Sequence, residues 1–247
     1  MSDFFKFEDE GIDFPFYNGI PKLSMVDWVV LALAPFLVGL VTITSGKVIP
    51  YYSVLPDGVM QVTYFLVTII PFAYVCRGKL GLIFKKPRLK DFKVIIICFF
   101  LYLVFGYVVK VIGASLGFQA DANAVMQTTV TIWSTIFALI QLVGEELFKV
   151  SVFLIGMGLI YYFTKNRKNA LVFGIFASMI IFGLMHLHAY NNNLFQCLFL
   201  IGFGSFFHLY PYLKTKNVVN TYILHVIIEL TFFSFMAFAQ HYHYAMG

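Results

Sequence analysis

Residues 131–160 read TIWSTIFALIQLVGEELFKVSVFLIGMGLI, an apolar run that carries Glu145, Glu146 and Lys149 near its middle. A charged side chain at the centre of a bilayer span costs about 2.5–3.5 kcal/mol on insertion scales. Two adjacent acids therefore need a reason to be there. Of the 12 acidic residues in the chain, only Glu145, Glu146 and Glu229 lie well inside long apolar segments. These three are the first candidates for chemistry.

The surrounding composition says what kind of chain this is. It is 60% hydrophobic and 12% charged over 247 residues, against about 25% charged in a soluble domain. Several runs exceed the ~20 residues needed to cross a hydrocarbon core. The expected fold is all-α, a polytopic membrane helix bundle with about seven transmembrane helices. Residues 1–24 read as a cytoplasmic tail and 25–247 as a single membrane domain. The tail is polar and acidic, and it lacks the basic start and apolar core of a secretory signal. Cys76, Cys98 and Cys197 are far apart, show no metal-type spacing and read as small apolar residues of the spans.

Charge fixes the expected orientation. Residues 77–93 hold seven basic side chains, from Arg77 to Lys93, against one acid, Asp91. By the positive-inside rule this loop is cytoplasmic, where it touches anionic lipid headgroups. Lys165, Arg167 and Lys168 mark a second such loop, and Lys214 and Lys216 a third, so that 12 of the 17 basic residues lie on one side. Spans are expected at about 25–44, 59–75, 94–116, 170–190, 194–213 and 218–240. The stretch from about Thr128 to Thr164 is 37 residues long, too long for one ordinary span. It is read as a short interfacial or re-entrant helix up to about Gln141, followed by the fourth span. The N-terminus is expected inside, in a bacterial cell membrane. The basic residues sit in short loops and speak to orientation, so no nucleic-acid partner is expected.

Glu145 and Glu146 project about 100° apart on a helix, so one can face a cavity while the other holds it or binds a partner. Lys149 is within side-chain reach of either. Phe182 and His186 lie near the outer end of the fifth span. His225 and Glu229 share one face of the seventh, four residues apart. His208, in the sixth, is a weaker candidate. Two glutamates, two histidines and a third carboxyl are enough to activate a water: a buried glutamate can take its proton, and a histidine can share that task or bind a metal. Counted from the neighbouring basic loops, Glu146 and His186 lie about 28 and 27 Å along their helices, but His225 only about 14 Å. A tilted seventh helix, or one that starts deeper, closes that gap.

These residues resemble the intramembrane CAAX-protease and bacteriocin-processing (Abi) family. Its marks are E-E-x-x-x-R, F-x-x-x-H and H-x-x-x-N/D on core helices. Here they read Glu145-Glu146-Leu147-Phe148-Lys149-Val150, Phe182 to His186, and His225 to Glu229. The order and spacing match over about residues 128–235, the protease-like core. Val150 stands where the family has arginine, with Lys149 one position earlier. Glu229 stands where it has Asn or Asp. The resemblance implies an intramembrane endopeptidase acting on a peptide or membrane-protein substrate in the bilayer, such as a leader-bearing peptide or a lipidated tail. One of the paired glutamates and His186 would activate water. His225 and Glu229 would help bind that water or the oxyanion, with Lys149 and Phe182 in support. The resemblance leaves a metal open. If a divalent ion such as zinc takes part, Glu146, His186 and His225 would hold it. The altered motif positions keep a second reading alive, an inactive family member that partners or regulates another membrane protein. A third reading is a small transporter with the carboxyls as a proton relay.

Overall fold

Two closely approached helices form the centre of the molecule. The computed structural model describes residues 4–9, 11–52, 58–121 and 131–246, and among these there are seven α-helices and no strand. They are α1 (Met25–Tyr52), α2 (Val59–Cys76), α3 (Leu89–Ser115), α4 (Ile132–Thr164), α5 (Arg167–Leu184), α6 (Ser205–Thr215) and α7 (Val218–Met246). Five are long and apolar enough to cross a membrane: α2, α3, α4, α5 and, over Val218–Phe235, α7.

α4 and α5 form the central hairpin. Thr131 caps α4 by accepting from the Ser134 amide at 3.0 Å, and the Ser134 hydroxyl accepts from the Thr131 amide at 2.9 Å. At the other end Lys165 takes the left-handed conformation (φ 52°), and Asn166 starts α5 by accepting from the Asn169 amide at 3.0 Å. The helices can lie close because their contact faces carry glycines. A Cβ on Gly174 would stand 2.7 Å from the Phe153 carbonyl oxygen, a small-residue approach suited to a membrane bundle.

Three span assignments are corrected. The separate short helix ending near Gln141 is absent among the described residues, because Ile132–Thr164 is one uninterrupted helix. Residues 122–130, where the long stretch begins, lie outside the described residues. At 33 residues α4 is about 50 Å long, longer than the ~30 Å hydrocarbon core. The extra length suits ends that lie at the interface, and the aromatic residues common there are exposed at both, Trp133 at one and Tyr162 and Phe163 at the other. The fifth span ends at Leu184, and a 3₁₀ turn, Leu187–Tyr190, follows. The sixth is not one α-helix but a π-helical segment, Gln196–Gly202, followed by α6. Gly202 presses that segment against α5, where a Cβ would meet the Met179 carbonyl oxygen at 2.8 Å.

The N-terminal segment is built into the bundle. Phe14 and Phe16 are buried, and Phe14 packs its edge on Phe153 of α4 and tilts against Tyr212 of α6. Glu8 is buried between Arg167, whose two terminal nitrogens donate to it at 2.8 and 2.6 Å, and Lys216 at 2.9 Å. Asp13 adds a second carboxylate on Arg167 at 2.9 Å. Lys216 itself is fully buried, so the α6–α7 turn is sunk beneath this segment.

Burial works to raise the Glu8 pKa, but Arg167, the Phe5 amide and Lys216 outweigh it and hold the carboxyl below its ordinary value of 4.5. Burial likewise opposes Arg88 and Lys214 at Asp9, and again the cations win and the pKa falls. A carboxyl depressed in the folded state contributes stability that is complete above its unfolded pKa and is lost as pH falls through the folded one. The share of the stability that Glu8 and Asp9 supply should therefore be complete above about pH 4.5 and be lost, with a fall in unfolding temperature in detergent, as pH drops further. Glu8→Gln should unfold earlier at neutral pH and show a shallower acid dependence. An unchanged profile in that variant would remove Glu8 from the account.

Candidate functional site

α4 and α7 place their polar residues face to face. On α7, Thr221, His225 and Glu229 recur every four residues and form one stripe. On α4, Gln141, Glu145 and Lys149 do the same, with Glu146 one residue round the helix. Glu146 is fully buried. One of its carboxylate oxygens receives Lys149 Nζ at 2.5 Å and His225 Nδ1 at 2.6 Å. The other receives the Thr221 hydroxyl at 2.9 Å. That hydroxyl also lies against the His208 carbonyl oxygen. The bond between them brings His225 level with Glu146, which closes the gap counted along the helices.

The two glutamates have different surroundings. Glu145 keeps 12% of its side chain accessible. One oxygen accepts from Gln141 Nε2 at 2.9 Å, and the other stands 3.9 Å from His225 Nε2. A carboxylate accepts only, so His225 donates through Nδ1 to Glu146 and turns Nε2 towards Glu145. Lys149, one turn below, is fully buried and also lies 4.7 Å from the centre of the Phe182 ring. Its backbone carbonyl receives the Ser178 hydroxyl at 2.9 Å, which ties α5 to this turn of α4. Val150, at the position of the motif arginine, packs into the core.

His186 stands just past the end of α5. Its Nδ1 bonds the Phe182 carbonyl oxygen at 2.8 Å and its ring lies 4.6 Å from that of Phe182. The carbonyl can only accept, so the proton is on Nδ1 and Nε2 has a lone pair to offer. Glu145, Lys149 and His225 are within electrostatic range of it. Glu229 has no hydrogen bond or ion pair among the described residues and lies within electrostatic range of His225 and Glu145.

The structure adds residues that the motifs do not contain. His208 of α6 is buried, its ring 4.5 Å from that of His225 and 4.8 Å from Tyr102 of α3, and its Nδ1 has no hydrogen-bond partner among the described residues. Thr221 could have been found one turn before His225 on the same stripe, and Gln141 one turn before Glu145. Nothing in the spacing points to Tyr102.

Residues 127–231 match the family model described as type II CAAX prenyl endopeptidase Rce1-like. The matched region contains all three motifs, and it is the CAAX-protease family that they resemble. This is a family of proteases, and with five membrane-capable helices the chain is an integral membrane protein. Comparison with curated proteins and with solved structures gave no match.

The donors can be tested against a metal. Ligand atoms of Glu146, His208 and His225 lie within 4.8 Å of one another, and His186 is outside that group. The chemistry of a carboxylate and two imidazoles suits zinc. The arrangement does not: Lys149 Nζ, at 2.5 Å, already supplies the countercharge to Glu146, and a dication would face that ammonium at close range.

Proposed function

We propose that the protein is an intramembrane endopeptidase that cleaves a peptide bond with water activated by Glu145. The observation that carries this reading is the 3.9 Å separation of Glu145 Oε2 and His225 Nε2. It is too long for a direct hydrogen bond and suited to a shared water. Such a water donates one hydrogen to each group and keeps its lone pairs for the scissile carbonyl carbon. As the oxygen–carbon bond forms, its proton passes to Glu145 and the carbonyl oxygen becomes an oxyanion. The tetrahedral intermediate collapses when the carbon–nitrogen bond breaks and Glu145 returns the proton to the leaving amine. His186 Nε2 shares the proton transfer. Glu229, when protonated, can donate to the oxyanion as the family's asparagine would. Glu146 does not react. It holds His225 in one tautomer, with Lys149 as its counter-ion.

The family description names prenylated CAAX tails, and a lipidated or leader-bearing peptide in the bilayer is the substrate class this reading takes. The test is cleavage of a prenylated CAAX peptide, or of secreted peptides compared with a deletion strain. His186→Ala and His225→Ala should each abolish processing while the protein still inserts, and dialysis against a chelator should leave the wild type active. Wild-type cleavage by the histidine variants would sink the assignment. Val150 and Glu229 at altered motif positions favour one other reading, a non-catalytic membrane partner. In that case a Glu145→Gln/His186→Ala protein would complement the deletion in full.

A further inference from the structure

At the basic end of the bundle, α3 and α6 enclose a groove of about 640 Å³. The α3 wall is one helical face, with Lys90 and Lys93 at the top and Val94, Ile97 and Leu101 below. The α6 wall repeats the order, with Lys214 above Tyr210 and Phe207. From Lys90 to Leu101 is 11 residues, about 16 Å of helix, and one leaflet of a ~30 Å hydrocarbon core is about 15 Å deep. Ile97 and Leu101 are about half exposed.

The charges at the top do not cancel. Asp9 binds Arg88 at 2.5 Å, Lys214 at 3.3 Å and Lys90 at 3.6 Å, and Asp91 binds Arg88 at 2.8 Å. Four cations, Arg88, Lys90, Lys93 and Lys214, thus face two carboxylates. Lys93 has no ion partner among the described residues. A cationic rim over an apolar slot one leaflet deep is complementary to an anionic amphiphile, which fills both parts, whereas a soluble anion would use the rim alone.

We propose that this groove binds one anionic phospholipid, with its phosphate on Lys90, Lys93 and Lys214 and an acyl chain along Val94, Ile97 and Leu101. Asp9 belongs to the N-terminal segment, so the headgroup also sits against the residues that tie that segment to the bundle. The proposal does not rest on the protease reading.

Native mass spectrometry of the purified full chain in detergent, with phosphatidylglycerol or phosphatidylcholine added, tests it. The wild type should retain one phosphatidylglycerol in preference to phosphatidylcholine. Lys93→Gln breaks no internal ion pair and should lower retention about fivefold, the share of one lysine at an anionic surface. Ile97→Trp should fill the slot and lower retention with the cations intact. Thermal unfolding checks that both variants fold. Equal retention of the two lipids, retention unaffected by either variant, or displacement by soluble glycerol phosphate would overturn the proposal. So would a dimer that buries this face and excludes lipid.

Discussion

Replacing Glu145 with glutamine is expected to slow peptide cleavage by about 10²- to 10⁴-fold, the range for loss of a general base, and to leave folding intact. Glutamine keeps the oxygen that accepts from Gln141 and the size of the side chain, so nothing in the packing is disturbed. It removes the carboxylate that faces His225 Nε2 at 3.9 Å. Glu145 is also the member of the pair with no lysine or arginine on it among the described residues. Its partners are an amide and a histidine nitrogen beyond hydrogen-bond range, whereas Glu146 is held by Lys149, His225 and Thr221. A carboxylate saturated by three donors is a poor proton acceptor. The measurement is turnover of a prenylated peptide by the purified variant, with unfolding temperature alongside. Wild-type turnover would move the base elsewhere. A large fall in unfolding temperature would make Glu145 a structural residue.

Much of this site was legible in the sequence because the chemistry is costly there. An acid in an apolar helix stands out, and the helical repeat puts Lys149 within reach of the pair and Glu229 one turn from His225. Sequence spacing could not say which glutamate Lys149 takes, because three and four residues are both good distances on a helix. The structure gives Lys149 to Glu146 and leaves Glu145 at the edge of the buried region. His208 was weak as a lone histidine in a span. Its place beside His225 depends on α6 packing against α7 there, which is a tertiary fact. The N-terminal segment was harder still. Its polar, acidic composition reads as a tail outside the membrane domain, and no pattern in it shows that Phe14 and Phe16 enter the core or that Glu8 is buried by cations from two distant turns. Residues 194–213 carried an apolar signal that reads alike for an α- and a π-helix. The π-helical turns lie where the segment packs on α5 through Gly202, a contact that composition does not show.

The largest stability effect is expected at Lys149. Lys149 and Glu146 are both fully buried, and their ion pair spans 2.5 Å. Removing one member of such a pair leaves a buried charge and costs about 3–5 kcal/mol. For a chain of this size that corresponds to on the order of 10 °C in unfolding temperature. Lys149→Met should show this loss, because methionine fills the space beside Phe182 but leaves the Glu146 carboxylate with only His225 and Thr221. Glu146→Gln should be costly for the converse reason, and it also releases His225 Nδ1. The double variant, Glu146→Gln with Lys149→Met, should be more stable than the sum of the two losses, since no unpaired charge remains. Its cleavage rate then separates two roles. If the pair only supports packing, the double variant regains activity with stability. If Glu146 must hold the His225 tautomer through a full negative charge, stability returns and cleavage does not. The second outcome is expected, because a carboxylate only accepts and so fixes the proton on Nδ1, whereas a glutamine amide can turn and donate to Nδ1, which releases the tautomer. A Lys149→Met protein as stable as wild type would show that the ammonium is not what neutralises Glu146, and would reopen the site to another cation.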